Sequence, residues 1–217
     1  PLGWSVLGTY DSVASLTREK VLTYHHDHYV PVNTVVAVAG GVSAKEVFDL
    51  LAQLLEETRA TGKIPVYEPP RPHSVVEISV RDTEQVQICL GTPGLAQDDP
   101  FIYAVQVLNN VIGGGLSSRL FQEVREERGL AYSIYSYHST YIDSGLFAVY
   151  AGTGPENVEK VVELILSELA KIRKEGITKE ELQRSKDQIR GNLLMGMENV
   201  SNRMSRLGKT ELCYGRV

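Results

Sequence analysis

The sequence predicts an α+β fold, with antiparallel-rich sheets and helices packed on them, and three observations carry that prediction. Strand-like runs come in hairpins set apart from runs of helix, not in strict alternation with them. Those runs are rich in β-branched and aromatic residues and stop at glycine-containing turns, as at Asp143-Ser144-Gly145. A weak internal echo completes the picture: residues 35–51 and 146–166 both read strand, glycine turn, helix, with Gly40 opposite Gly152 and Val47 opposite Val158. The echo suggests internally duplicated units, although strand, glycine, helix is a common local pattern.

The elements follow in order. Residues 12–30 carry Leu16, Val21, Leu22 and Tyr29 among charges and end at Pro31, which predicts an amphipathic helix. Residues 34–39 predict a strand, Gly40-Gly41 a turn, and Ser43 with Glu46 a capping box for a helix running to about residue 57. Residues 61–71 hold Pro65, Pro69 and Pro70 in a polar run, a linker that puts a domain boundary near Val66. Domains of 1–66 and 67–217 follow. Residues 73–81 and 84–92 predict a hairpin through Asp82-Thr83. A helix over 99–112 buries Phe101, Val105, Leu108 and Ile112 and ends at Gly113-Gly114-Gly115. Ser117 or Ser118 caps the next helix, which carries Leu120, Phe121 and Val124 and stops at Gly129. Strands over 131–141 and 145–151 come next, and Pro155 opens the longest predicted helix, with Val158, Val161, Ile165, Leu169 and Ile172 at helical spacing down to Gly176. Thr178 with Glu181 starts another helix, in whose continuation Gly191, Gly196 and Gly208 weaken the run.

Composition excludes several function classes. Of 217 residues 42% are hydrophobic and 23% charged, enough to build a core and too ordered a balance for a disordered tail. A net charge of −5 gives no basic field for nucleic acid or anionic lipid. No apolar stretch approaches the ~20 residues a membrane-spanning helix needs. Cys89 and Cys213 stand far apart and outside any CxxC, the pattern of two reduced thiols. The chain begins at Pro1 with no signal-like segment and ends in helical character, so both ends are expected to be internal to a longer polypeptide.

Candidate chemistry is sparse. His25 and His28 share a helix face at i, i+3 but lack a remote third ligand, so a solvated helix end outweighs a metal site. The triple glycine matches neither the dinucleotide fingerprint nor the P-loop. Asn199-Val200-Ser201 fits an incidental sequon, and Ser117 and Ser118 have no identifiable histidine partner. The segment VREERGLAYSIYSYHSTY at 124–141 supports two readings. In the first, Tyr132, Tyr135, Tyr137 and Tyr141 pack across a sheet while Arg125 and Arg128 are surface charges at a helix end. In the second, Arg125 and Tyr132 converge on a groove and offer donors to a peptide carbonyl or a developing oxyanion. Composition leaves both open.

The stretch GGGLSSRLFQEVREERGLAYSIYSYHSTYIDSGLFAVYAGT, preceded by LGTYDSVASLTREKVLTYHHDHYVPVNTVVAVAGGVS and followed by KEELQRSKDQIRGNLLMGMENVSNRMSRLGK, strongly resembles the insulinase and mitochondrial processing peptidase family of zinc metallopeptidases, in its single-chain bacterial form. The resemblance implies internally duplicated α+β domains that close around a peptide. It makes 1–66 the last part of the zinc-bearing N-terminal domain and 67–217 most of the C-terminal, substrate-holding one. The family's zinc motif, H-x-x-E-H with a downstream glutamate, is missing from these 217 residues, so zinc is expected in the full-length protein and not in this stretch.

By the same resemblance the family's Arg and Tyr pair, seven residues apart, falls on Arg125 and Tyr132. The implied function is zinc-dependent endopeptidase action on peptides or presequence-like segments, with this stretch inactive alone; the alternative is a non-catalytic partner or scaffold subunit. Expected partners are a peptide substrate, the missing N-terminal part of the same chain and possible self-association as a homodimer, with neither nucleic acid nor membrane.

Overall fold

The computed structural model describes residues 3–55 and 68–215. In chain order the helices are α1 (Tyr10–Ala14), α2 (Arg18–His28), α3 (Ala44–Leu55), α4 (Ile102–Gly113), α5 (Val158–Glu175), α6 (Lys179–Glu198) and α7 (Val200–Tyr214). The strands are β1 (Val86–Gly94), β2 (Ala131–Thr140) and β3 (Gly145–Thr153). Helices beside an antiparallel sheet make the α+β class that the sequence predicts. The chain divides into two compact units, residues 71–193 and residues 1–70 with 194–217.

The first of these is built on the sheet. Strand order is β1-β3-β2, all antiparallel, with Cys89 and Tyr135 both opposite Tyr150. The predicted 145–151 strand and its partner form the β2–β3 hairpin, closed where Tyr141 N–H donates to Ser144 O at 2.8 Å. Side chains alternate across a sheet, so each strand offers one apolar face, and here that face meets helices α4 and α5. Ile112, Leu120, Val124, Ile134, Val149, Ala151, Val161 and Ile165 form the core, none more than 4% exposed. The end of α4 lies so close to β2 that a Cβ on Gly113 would stand 2.3 Å from Ser136 N. Only glycine permits that approach. Helix α6 starts at the predicted capping box, Thr178 N–H donating to Glu181 Oε2 at 2.7 Å and Glu181 N–H to Thr178 Oγ1 at 3.1 Å. At 20 residues it outruns the 18 of α5, predicted to be the longest.

Several predicted elements differ. The single helix over 12–30 is two, because Thr9 and Thr17 each act as N-cap: Thr17 Oγ1 accepts from Lys20 N–H, restarting the helix after Ser15. Residues 34–39 and 73–81 form no strand, and β1 begins at Val86 without the predicted hairpin. Both segments have strand-forming composition, but a strand exists only where a neighbour takes up its N–H and C=O groups, and no such neighbour stands among the described residues. The helical run after 179 breaks at Asn199 and not at its glycines, since Asn199 Oδ1 accepts from Ser201 and Asn202 N–H and caps α7. The predicted boundary near Val66, most of the linker and the end of the helix after Leu55 lie outside the described residues.

Candidate functional site

Arg125 sits in an irregular turn. Residues Phe121–Glu126 are π-helical, with Glu127 N–H donating to Gln122 O at 2.9 Å, so the predicted helix accommodates one extra residue per turn. Buried Leu120 and Val124 hold its apolar side in the core. On the open side, the Arg125 guanidinium lies 4.8 Å above the Phe121 ring, a cation–π contact that fixes an otherwise free side chain. Arg128 donates to Glu123 Oε1 through Nε at 3.1 Å and a terminal nitrogen at 2.6 Å. That pairing holds the Glu123 carboxyl below its ordinary range and raises Arg128.

The chain then turns sharply. Gly129, at φ +59°, occupies a left-handed conformation that favours glycine, and its N–H donates to Arg125 O at 3.1 Å. Leu130 N–H donates back to Val124 O at 2.9 Å, and Thr153 Oγ1 donates to Leu130 O. Strand β2 starts with Ala131 opposite Thr153, but Ser133 is opposite Gly152. Tyr132 is the extra residue of a β-bulge, 68% exposed. Arg125 and Tyr132 thus bracket one hydrogen-bonded turn, each on a backbone irregularity and each exposed.

The other candidates resolve into structural roles. Tyr135, Tyr137 and Tyr150 cluster on the sheet, ring centroids 6.2 Å apart for Tyr135 and Tyr137 and 4.9 Å for Tyr135 and Tyr150. Cys89 Sγ lies 3.8 Å from Tyr137 Oη and helps raise the phenol's pKa, and Tyr150 Oη donates to Gln87 Oε1. His28 stacks on Tyr24 at 4.1 Å with Nδ1 3.1 Å from Tyr24 O, and His25 stacks on Tyr29 at 4.7 Å. Among the described residues no group of three or more His, Cys, Asp or Glu side chains comes together to hold a metal ion, so these residues do not fit a zinc site. Ser118, 3% exposed, donates to Gly115 O at 2.6 Å.

One polar pair escaped the sequence reading. Arg119 clamps Glu181 with two parallel bonds, Nε to Oε1 at 2.6 Å and a terminal nitrogen to Oε2 at 2.8 Å, and also reaches Gly176 O at 3.3 Å. These bonds hold the Glu181 carboxyl down to about 2, Arg119 being the main cause. They anchor the start of the π-turn to the start of α6. The capping box marked Glu181 in the sequence, but nothing local marked a partner 62 positions away.

A small antiparallel sheet backed by helices carries an exposed Arg and Tyr on adjoining irregular turns. The chain belongs to the M16 peptidase family: residues 15–189 match its model, described as the Peptidase M16 inactive domain. It is 42% identical over 215 residues to the uncharacterized zinc protease YmxG of Bacillus subtilis, covering 99% of this chain and 52% of that protein. It is 43% identical over 223 residues to an uncharacterized zinc protease of Streptomyces coelicolor, covering 99% and 48%. The crystal structure of a peptidase M16 inactive domain from Pseudomonas fluorescens superposes with a TM-score of 0.83 at 27% identity, covering 94% of this chain and 49% of that one. The chain spans about half the length of the curated relatives it matches.

Proposed function

We propose that this chain is the substrate-holding part of a zinc metalloendopeptidase that hydrolyses peptides or presequence-like segments, and that Arg125 and Tyr132 are the residues it contributes. The observation that carries the reading is the pair of irregularities, a π-turn under Arg125 and a bulge at Tyr132, on the two sides of one turn. Each forgoes regular ladder hydrogen bonds and re-aims a side chain, and such features cluster beside functional sites. A guanidinium and a phenol exposed together supply donors to a peptide carbonyl, or to the negative charge that develops on its oxygen.

Zinc belongs, in this reading, to the rest of the protein, since the relatives are named zinc proteases. We keep the functional division at 1–66 and 67–217; the compact units differ in grouping 194–217 with the first. Peptide, the remaining part of the same polypeptide and a second copy are its partners, and the bacterial cytoplasm its compartment. The family description as an inactive domain favours one second reading, a non-catalytic partner subunit.

The test is Tyr132→Phe in the full-length protein. It is expected to lower kcat by about 10- to 100-fold with zinc content and KM near wild type. An unchanged kcat removes Tyr132 from the mechanism, and a full-length protein with neither zinc nor peptidase activity establishes the partner-subunit reading.

A further inference from the structure

Away from that turn, within the unit of residues 1–70 and 194–217, a groove of about 660 Å³ lies between the backbone at Gly40-Gly41 and one side of α7. Its size is that of a ligand pocket. Its lining divides by chemistry into an apolar part, Met197, Val200 and Leu207, and two guanidiniums, Arg203 and Arg206, at i and i+3 of the helix. Neither guanidinium is in an ion pair among the described residues. Arg203 has no side-chain hydrogen bond among the described residues, and Arg206 gives one N–H to Met197 Sδ at 3.4 Å, a weak acceptor. In a chain of net charge −5 this is a local reversal of sign. Helix and extended segment are held close: a Cβ on Gly208 would stand 3.0 Å from Ala37 Cβ.

We propose that this groove binds an acidic, partly apolar peptide segment, its carboxylates on Arg203 and Arg206 and its apolar side chains over Met197, Val200 and Leu207. Charge complementarity selects the occupant. A guanidinium takes a carboxylate through two parallel hydrogen bonds, and two unpaired guanidiniums repel a lysine- or arginine-rich segment. Gly40 and Gly41, with no atoms within 4 Å of where a Cβ would be, leave a peptide backbone room to approach. The groove therefore disfavours lysine- or arginine-rich peptides. It rests on the proposed function only in taking peptides as ligands.

The test reads binding, with hydrolysis switched off by chelator, so that its failure is distinct from failure of the peptidase reading. Fluorescence anisotropy of a short labelled peptide alternating Glu and Leu, titrated with the full-length protein, is expected to show salt-sensitive binding. Arg203→Gln with Arg206→Gln is expected to weaken it about tenfold, while Lys209→Gln outside the groove leaves it unchanged. The matching Lys and Leu peptide is expected to bind more weakly. Equal affinity for the two peptides, or no binding of either because another part of the protein fills the groove, overturns the proposal. Should the double variant fail to fold, Arg203→Gln alone, which breaks no hydrogen bond or ion pair among the described residues, decides: weakened binding supports the site and unchanged binding sinks it.

Discussion

The two compact units differ in what they bury. In residues 71–193, Leu120, Val124, Val149, Ala151, Val161 and Ile165 are at most 1% exposed and touch one another across sheet and helix. In residues 1–70 and 194–217 the one buried hydrophobic side chain among those described is Val30, at 7% exposed, while Trp4, Phe48 and Leu54 are 78%, 72% and 68% exposed. Helix α3 is as regular as α5, and its sequence AKEVFDLLAQLL carries as clear an apolar stripe. Periodicity therefore makes a helix in both places, but only burial against a second layer turns the stripe into a core. Exposed apolar surface on that scale adds nothing to stability in water.

The largest effect that can break this comparison is a cavity. Ile165→Ala in the 217-residue chain is expected to cost about 3 kcal/mol, because a fully buried side chain is lost from a core that collapses only in part. Phe48→Ala in the same chain is expected to change stability by less than about 0.5 kcal/mol, its ring being already in solvent. Urea unfolding followed by circular dichroism checks both. Comparable losses would mean that Phe48 is buried in solution and the contrast between the units is false.

The same contrast explains what was legible in the sequence. The β2–β3 hairpin could be read because its strands pair with each other through a local turn, and the Thr178–Glu181 cap because all its parts lie within one turn of helix. Residues 34–39 and 73–81 carry equally good strand composition, yet composition does not supply a partner for the backbone. At the candidate site the seven-residue spacing of Arg125 and Tyr132 was legible through family resemblance. The π-turn and the bulge were not, since each is one inserted residue whose place depends on how Val124, Leu130 and Thr153 pack. Arg203 and Arg206 carry no local sequence signal, because what singles them out is the Gly40-Gly41 segment across the groove from α7.

A smaller effect sharpens the comparison by locating acid sensitivity in residues 71–193. Glu181 is depressed from 4.5 to about 2 by its clamp with Arg119. The unfolded chain thus binds a proton that the fold does not, so the stabilisation is complete above 4.5 and is lost as pH falls toward about 2. Glu181→Gln is expected to cost about 2 kcal/mol at neutral pH. The gap to wild type should shrink through that window in urea titrations, and a gap independent of pH would show that the clamp acts only by its shape.

The smallest expected effect lies in the same unit, at a second window. His138 Nε2 accepts from Leu95 N–H at 3.0 Å, so the ring is neutral with its proton on Nδ1. Burial lowers its pKa below 6.5, and a proton added at Nε2 would face the Leu95 N–H donor directly. Here too the fold binds fewer protons than the unfolded chain. Its contribution is complete above 6.5, declines as pH drops through the folded value and levels off below it. Acid unfolding of the chain should therefore show two components, a shallow one beginning just under 6.5 and the Glu181 component beginning below 4.5. His138→Ala is expected to remove the shallow component and leave the other in place, while nuclear magnetic resonance of the wild-type ring follows its titration directly. A His138 ring that titrates at 6.5 or above would mean that the Leu95 bond opens in solution, and that the tip of the β1 strand is looser than the core behind it.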